Sequence, residues 1–227
     1  MRPGLDLLRS VPFFSSCSEA ELAALNDIGD LARVGPDDIL YSEGDTVAEI
    51  NVLTAGYVGA TRLNPNGSVV LADVILPVRP LSLPVALLGK PAPAGMRMLT
   101  AGRLIVFEVA GLWAMLDRYP ALERRLFELA LKELRDLEVA AYDLKLQSAP
   151  RRLAKYLLSL VKEHDATPVR FVLPFEKRLL AAHIGCSQEN LSRAFAALRP
   201  LGVETQRGII VLRDILRLYS FVGIERP

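Results

Sequence analysis

The chain has 227 residues, of which 51% are hydrophobic and 23% are charged, and its formal net charge is +1. This length admits one large domain or two smaller ones. No apolar run reaches the roughly 18 residues that span a bilayer, and the first residues lack the basic-then-apolar pattern of a signal peptide. We therefore expect a cytoplasmic protein with no membrane partner.

The nearly neutral total hides a charge asymmetry between the two parts of the chain. Residues 1–147 carry 14 Lys and Arg against 19 Asp and Glu, a net charge of −5. Residues 148–227 carry 13 Lys and Arg against 7 Asp and Glu, a net charge of +6. Because phosphate contacts supply most of the nonspecific affinity for DNA, this asymmetry favours a nucleic-acid partner for the C-terminal part.

The chain lacks the residue patterns of metal sites and of common enzymes. Cys17 and Cys186 are its two cysteines and form no CxxC pair, which argues against a disulfide framework, a zinc site or an iron–sulfur site. No G-x-S-x-G, H-E-x-x-H or P-loop motif occurs. We therefore expect no metal ligands, no catalytic residues and no enzymatic activity.

The N-terminal part is predicted to be a short helical segment followed by many strands. Residues 3–30 are helical in part, and the helix that starts at Ser18-Glu19 carries an apolar face of Leu22, Leu25 and Ile28. Between Val34 and about Phe107, strand-like runs alternate with Gly, Pro and Asn. The runs are Ile39–Tyr41, Ile50–Leu53, Tyr57–Thr61, Val69–Ala72 and Leu104–Phe107. Asn66-Gly67 is a strong hairpin signal, and closely spaced short strands predict an antiparallel barrel or roll.

A long helix is predicted from about residue 120 to residue 146, with Pro120 near its first turn. At 1.5 Å per residue this helix is roughly 40 Å long. Its apolar residues alternate spacings of three and four, as in a heptad seam: Phe127, Ala130, Leu134, Leu137, Ala141 and Leu144. The seam favours self-association as a homodimer, although it could instead pack on the chain's own strands. A second apolar set, Leu126, Leu129 and Val139, could cover those strands while the seam contacts a partner.

A helix-turn-helix is predicted for residues 179–193. Ala181 is a small residue where two helices would cross, Gly185 suits a turn with positive φ, and Ser187 is a good N-cap for the second helix. Ile184, Leu191 and Ala194 are spaced to bury one side of the pair.

The opposite side of this helix pair is predicted to contact DNA. It presents Ser187, Gln188, Glu189, Ser192 and Arg193, which have the chemistry to read base edges in a major groove. Basic residues nearby are candidates for phosphate contacts, with plain solvated charge as the alternative: Lys177, Arg178 and Arg207, and also Arg151, Arg152 and Arg199.

The last part of the chain is predicted to form a two-stranded wing and a closing helix. The strands are 202–205 and 208–212, with a turn at residues 206–208, and the helix runs from Leu212 to Phe221. A helix-turn-helix followed by such a hairpin is a winged helix. The fold class is therefore α+β, with an N-terminal antiparallel β-roll, a long dimerisation helix and a C-terminal winged helix-turn-helix.

This order of parts resembles the cyclic AMP receptor protein/fumarate-nitrate reduction regulator (CRP/FNR) family over nearly the whole chain. The markers are Glu43-Gly44-Asp45 and residues 53–58 of the roll, residues 64–67 of the hairpin, and above all Glu189-Asn190-Leu191-Ser192-Arg193. The last marker matches the E-x-x-S-R pattern of the FNR-type branch. The resemblance implies a homodimeric regulator that binds duplex DNA at a TTGAT-like inverted repeat. RNA polymerase is a further candidate partner, although no residue pattern marks that contact.

The sensor part departs from this family. Cyclic-nucleotide-binding rolls carry a Gly-Glu pair and an Arg followed by Ser or Thr, whereas the stretch from Leu81 to Met98 lacks the Glu and follows Arg97 with Met98. We therefore do not expect a cyclic nucleotide to bind. An iron–sulfur cluster of the FNR type is excluded because Cys17 is the only cysteine in that region.

A chain that lacks a cyclic-nucleotide pocket and an iron–sulfur cluster but keeps the E-x-x-S-R pattern resembles the cysteine-poor, nitric-oxide-responsive group (Dnr and NnrR). This resemblance implies haem as a candidate cofactor. The candidate haem ligands are His164 and His183, the only histidines, and the apolar roll between Leu81 and Met98 is the expected slot. Cys186 is interpreted as a small packing residue, with a redox brake on DNA binding as the alternative.

The predicted domains are a β-roll sensor at 1–116, a dimerisation helix at 117–147 and a winged-helix domain at 148–227. The function that follows is a transcription regulator controlled by a signal in the roll. A regulator that responds to a cyclic nucleotide or another small molecule, and one that needs no ligand, stay as alternatives.

Overall fold

The computed structural model describes residues 1–81, 83–161, 168–173, 176–206 and 208–224. The chain divides into two compact units, Met1–Leu137 and Glu138–Pro227. This boundary lies inside the long helix, whereas the sequence predicts limits after residues 116 and 147. Those three predicted domains stay a prediction.

The helices of the first unit frame its sheets. They are α1 (Leu5–Ser10), α2 (Glu19–Ile28), α3 (Leu83–Leu88), α4 (Val109–Arg118) and the first part of α5 (Pro120–Leu146). Helix α2 starts where predicted, because Ser18 Oγ accepts a hydrogen bond from Glu21 N and the Glu21 carboxylate accepts one from Ser18 N. This capping box satisfies two backbone donors at the helix start. Helix α5 has the predicted bounds and begins at Pro120.

The strands of the first unit form two four-stranded antiparallel sheets. The strands are β1 (Gly29–Val34), β2 (Ile39–Tyr41), β3 (Glu49–Ala55), β4 (Val58–Leu63), β5 (Val69–Ile75), β6 (Arg79–Leu81), β7 (Gly95–Met98) and β8 (Gly102–Glu108). Their orders are β1-β8-β3-β6 and β2-β7-β4-β5. The predicted hairpin is confirmed, since β4 and β5 pair from Leu63 opposite Val69 and Gly67 has φ 80°.

Strand β1 was not predicted, because the sequence pattern indicates no strand before Val34. It lies at the edge of its sheet and mixes Asp30 and Arg33 with apolar residues, so it shows no clean alternation. Gly29 pairs with Phe107 of β8, and a Cβ at Gly29 would lie 2.8 Å from the Phe107 ring. The strand is therefore fixed by tertiary pairing rather than by its own pattern.

The core of the first unit lies between the sheets and the helices. Leu122 and Leu126 of α5 are buried in it, and Leu129 packs against it. The predicted covering role of Leu126 and Leu129 is thus confirmed, whereas Val139 is half-exposed. Arg125 of α5 donates to the buried Glu21 carboxylate at 2.8 Å and lies 3.7 Å from Cys17 Sγ.

The second unit contains the end of α5, further helices and a three-stranded antiparallel sheet. Its further elements are α6 (Ala149–Ser159), β9 (Val169–Val172), α7 (Lys177–Ile184), α8 (Gln188–Leu198), a 3₁₀ turn (Arg199–Leu201), β10 (Val203–Gln206), β11 (Ile209–Leu212) and α9 (Ile215–Val222). The sheet order is β10-β11-β9. The predicted helix-turn-helix and wing are confirmed in α7, α8 and the β10–β11 pair. Arg207 and His164 lie outside the described residues.

Within the described part of the chain, no helix has both the length and the apolar composition that a membrane crossing requires.

Candidate nucleic-acid interface

The turn between α7 and α8 depends on a left-handed glycine. Gly185 has φ 72° and ψ 47°, and its N–H donates to Ala182 O at 3.0 Å. A Cβ at this position would lie 2.5 Å from Leu144 Cδ2. Glycine is therefore required at position 185 for two reasons, the left-handed backbone conformation and the close approach of α5.

Helix α8 is fixed at its start by Ser187 and along one side by the core. Ser187 Oγ accepts a hydrogen bond from Asn190 N at 3.2 Å, which satisfies a backbone donor of the first turn. Leu191, Ala194 and Leu198 are buried, as is Ile184 of α7. The opposite side of α8 must therefore face solvent.

That exposed side carries the predicted base-reading residues. Ser187, Gln188, Glu189, Ser192 and Arg193 are all exposed, as are Lys177 and Arg178 at the start of α7. The structure brings two of them together, because the Arg193 guanidinium forms an ion pair with the Glu189 carboxylate one turn earlier. Ser192 Oγ donates to Gln188 O at 3.0 Å. Arg193 still has free donors after this pairing, since a guanidinium has five N–H groups.

A groove of about 720 Å³ separates the outer side of α8 from the wing. Among the described residues, the cationic side chains at its walls are Lys177 and Arg199. The wing contributes Thr205, Gly208 and the acidic Glu204, which forms an ion pair with Arg213. Lys177 Nζ lies 5.6 Å from the centre of the Phe195 ring, a cation–π distance that holds the ammonium beside α8. Sequence reasoning missed Phe195 and Thr205, since neither has a motif that distinguishes it from an ordinary core or strand residue.

Two of the basic candidates serve the fold of this unit. Arg152 donates to three backbone carbonyls, those of Ile184 at 2.8 Å, Gln147 at 2.6 Å and Gly185 at 3.1 Å. Arg151 donates to Val222 O at 3.2 Å. The guanidinium groups of Arg151 and Arg152 therefore donate to backbone carbonyls. The sequence instead predicts that each contacts either a DNA phosphate or solvent.

Cys186 follows the turn and is half-buried. Burial raises the pKa of its thiol, and the nearby Arg152 charge opposes that effect without reversing it. Since the thiolate is the reactive form, a raised pKa disfavours oxidation and supports the packing interpretation.

The histidines do not provide a haem site in the first unit. Residues 1–137 contain no histidine. His183 belongs to α7 in the second unit, where its ring packs edge-on against Tyr156 at 5.1 Å between ring centres. A cavity of about 30 Å³ in the first unit is lined, among the described residues, by apolar side chains such as Val52, Leu83 and Leu129. The described side chains around this small cavity offer no iron ligand and too little space for a haem. A second cavity of the first unit, of about 190 Å³, is lined by Tyr41, Met96 and Arg97 among others.

The apolar seam predicted on α5 is exposed to solvent in the single chain. Phe127, Leu134, Leu137 and Leu144 are 64%, 55%, 59% and 53% exposed, and Ala130 and Ala141 are exposed as well. A continuous row of exposed apolar residues on a helix indicates an interaction surface.

The comparisons with known proteins agree with this geometry. Residues 151–221 match the Crp-like helix-turn-helix domain family. FixK2 from Bradyrhizobium japonicum gives a TM-score of 0.71 at 20% identity, over 88% of this chain and 99% of its own. A Ruegeria pomeroyi DSS-3 protein, described as a candidate cyclic nucleotide binding protein, gives 0.67 at 24% identity over 97% of both chains.

A third solved structure is the c-di-GMP responsive global regulator CLP of Xanthomonas campestris. It gives a TM-score of 0.67 at 16% identity, over 87% of this chain and all of its own. No curated protein is a sequence match for this chain. Residues 151–221 therefore form a Crp-like helix-turn-helix domain, and the chain has the fold of the CRP/FNR regulators.

Proposed function

We propose that this chain is a CRP/FNR-type transcription regulator whose helix α8 reads base edges in the major groove of duplex DNA. One observation carries the proposal: α8 buries one side in a Crp-like domain and exposes Gln188, Glu189, Ser192 and Arg193 on the other. An exposed side rich in hydrogen-bonding groups, at the start of the second helix of such a pair, is the surface that enters the major groove.

The chemistry of the two charged residues favours a G·C pair in each half-site. Arg193 can donate two hydrogen bonds to guanine O6 and N7, and Glu189 can accept one from a cytosine amino group. Their mutual ion pair supports this assignment, because it holds the Arg193 guanidinium against the same helix turn that Glu189 occupies. Together with the E-x-x-S-R pattern, this chemistry supports a TTGAT-like half-site, which contains a single G·C pair.

Two copies of the chain are proposed to bind an inverted repeat. The exposed row on α5 would be covered by the same row of a second chain, which would place two α8 helices on half-sites about 34 Å apart. Lys177 and Arg178 are proposed as phosphate contacts, and Arg207 stays a candidate beside them. RNA polymerase and a cytoplasmic location belong to this proposal as the usual partner and setting of a bacterial-type regulator.

The signal is proposed to enter through the first unit. A cyclic nucleotide is disfavoured by the sequence, because Arg97 is followed by Met98 rather than by Ser or Thr. The small apolar cavity of about 30 Å³ could not pair a cyclic phosphate, whereas a second cavity of about 190 Å³ carries polar side chains, including Thr61, Arg62 and Arg97. Nitric oxide sensing through haem would need an iron ligand other than histidine within residues 1–137. A regulator controlled only by its own abundance is the remaining alternative. Absorption spectra of the purified protein with haem added, and with nitric oxide, distinguish these cases by the presence or absence of a Soret band.

Binding to defined duplexes tests the central proposal. Fluorescence anisotropy would compare an inverted TTGAT repeat with the same duplex scrambled at the half-sites. Arg193→Ala is expected to weaken binding to the repeat by about 1–3 kcal/mol, roughly 5- to 150-fold, and to leave the scrambled duplex nearly unchanged. Equal losses on both duplexes, or a wild-type protein that does not distinguish them, would contradict base reading by α8.

A further inference from the structure

Arg152 joins the recognition turn to the end of the long helix. Its Nε donates to the carbonyl of Ile184 and its Nη2 to that of Gly185, so two of its bonds reach the C-terminal end of α7. Its Nη1 donates to the carbonyl of Gln147, directly after α5 ends at Leu146. Carbonyls at helix C-termini lack partners within the helix and carry partial negative charge, so a guanidinium is well suited to bridge two of these ends.

Two further contacts fix the end of α5, one to the recognition turn and one to α6, the helix that carries Arg152. The side chain of Leu144 packs against Gly185 so closely that there is no room for a Cβ there. Asp143 of α5 accepts from Lys155 Nζ of α6 at 2.9 Å and from Gln147 Nε2 at 2.6 Å. The side chains of Lys155 and Asp143 are about three-quarters buried, which makes this ion pair more than a surface contact.

We infer that Arg152 is a positioning residue that fixes the recognition helix to the last turns of α5. This inference rests on the proposed function, since it concerns how the two α8 helices of a dimer are held at a defined spacing. When the ends of two α5 helices pair, each carries its own α7–α8 turn with it through the Arg152 bonds. The dimer then selects DNA by the distance between half-sites as well as by their bases.

The chemistry requires arginine rather than another cation. Three carbonyls are reached by three different nitrogens of one planar group, which a lysine ammonium on a flexible stem cannot reproduce. Since these donors are engaged within the protein, Arg152 does not need a DNA phosphate as a partner. Arg199 provides the contrast, because it is exposed at the groove beside α8.

The experiment compares full-length wild type, Arg152→Lys and the control Arg199→Gln on two duplexes. One is an inverted repeat that the wild type selects from a random pool, and the other has one base pair inserted between its half-sites. Wild type is expected to prefer the selected spacing, and Arg152→Lys to reduce that preference at least about tenfold. A further variant, Arg152→Gln, removes the charge, and its slope of log K against log salt should equal that of wild type. Arg199→Gln should weaken both duplexes equally and reduce the slope by about 0.9, as expected for one lost phosphate contact.

A second measurement needs no DNA. Amide hydrogen exchange at residues 185–190 of the free protein is expected to be faster in Arg152→Lys than in wild type, and faster to a smaller degree in Asp143→Asn. Unchanged exchange there, or an unchanged spacing preference, would overturn the inference. A reduced salt slope in Arg152→Gln would overturn it too, because it would make Arg152 a phosphate contact. If wild type selects no sequence at all, the proposed function fails, while the exchange result still decides whether Arg152 holds the turn.

Discussion

The exposed row on α5 leads to a measurable prediction about self-association. Leu134 is 55% exposed in one chain and would be covered in a dimer. Full burial of a leucine side chain contributes about 1.5–3 kcal/mol, so covering the exposed half contributes about 1 kcal/mol, or about 2 kcal/mol for the two copies. In Leu134→Lys this contribution is lost, and two facing ammonium groups add a repulsion of about 1 kcal/mol at a separation near 4 Å in water.

The expected loss of about 3 kcal/mol corresponds to a dimer dissociation constant that is roughly 100-fold higher. Sedimentation velocity over a range of protein concentrations measures this constant directly. The matched control is Leu88→Lys, which changes an exposed leucine on α3 rather than on α5. A monomeric wild type would refute the reasoning, and so would a Leu134→Lys protein that dimerises as tightly as the Leu88→Lys control.

Two further predictions concern stability. Burial acts to raise the pKa of Glu21, but hydrogen bonds from Ser18 and the ion pair with Arg125 outweigh it and leave the pKa below its ordinary value of 4.5. The ionised Glu21 carboxylate therefore stabilises the fold above its unfolded pKa. The difference in unfolding free energy between wild type and Glu21→Gln, measured by urea titration, should shrink as the pH falls below about 4.5. A difference that does not change with pH would contradict this. Gly185→Ala is expected to lower the unfolding free energy by more than the about 1–2 kcal/mol of a left-handed non-glycine residue, because its Cβ also meets Leu144. Gly208→Ala, with φ 86° and open space around it, should show the backbone effect alone, and equal losses in the two variants would show that the Leu144 contact adds nothing.

Much of the fold could be predicted because its signals are local. Pro120 opens α5 at the predicted residue, Asn66-Gly67 forms the predicted hairpin, and Gly185 adopts the positive φ that its place in the turn indicates. Each of these depends on the conformational preference of one or two residues. Strand β1 could not be predicted, because its place is set by pairing with β8 about 75 residues later.

The residues of the candidate site also differ in whether the sequence alone could identify their roles. The exposed side of α8 follows from helical spacing, so Gln188, Glu189, Ser192 and Arg193 could be named from the sequence. The role of Arg152 could not, since its carbonyl partners at Ile184 and Gly185 lie more than 30 residues away. The sequence left two interpretations of Arg152 open, a contact with phosphate and a solvated charge. Tertiary structure placed this guanidinium against backbone instead.

The division of the chain within α5 also determines where it can be cut or recombined. Asp143, Leu144 and Gln147 lie in or directly after the long helix, yet they belong to the unit that begins at Glu138. A fragment starting at residue 148 would leave Lys155 without its carboxylate partner and the glycine turn without the leucine that covers it. A chimaera that exchanges sensors between regulators should therefore be joined between residues 137 and 138, where the DNA preference is transferred with its supports intact.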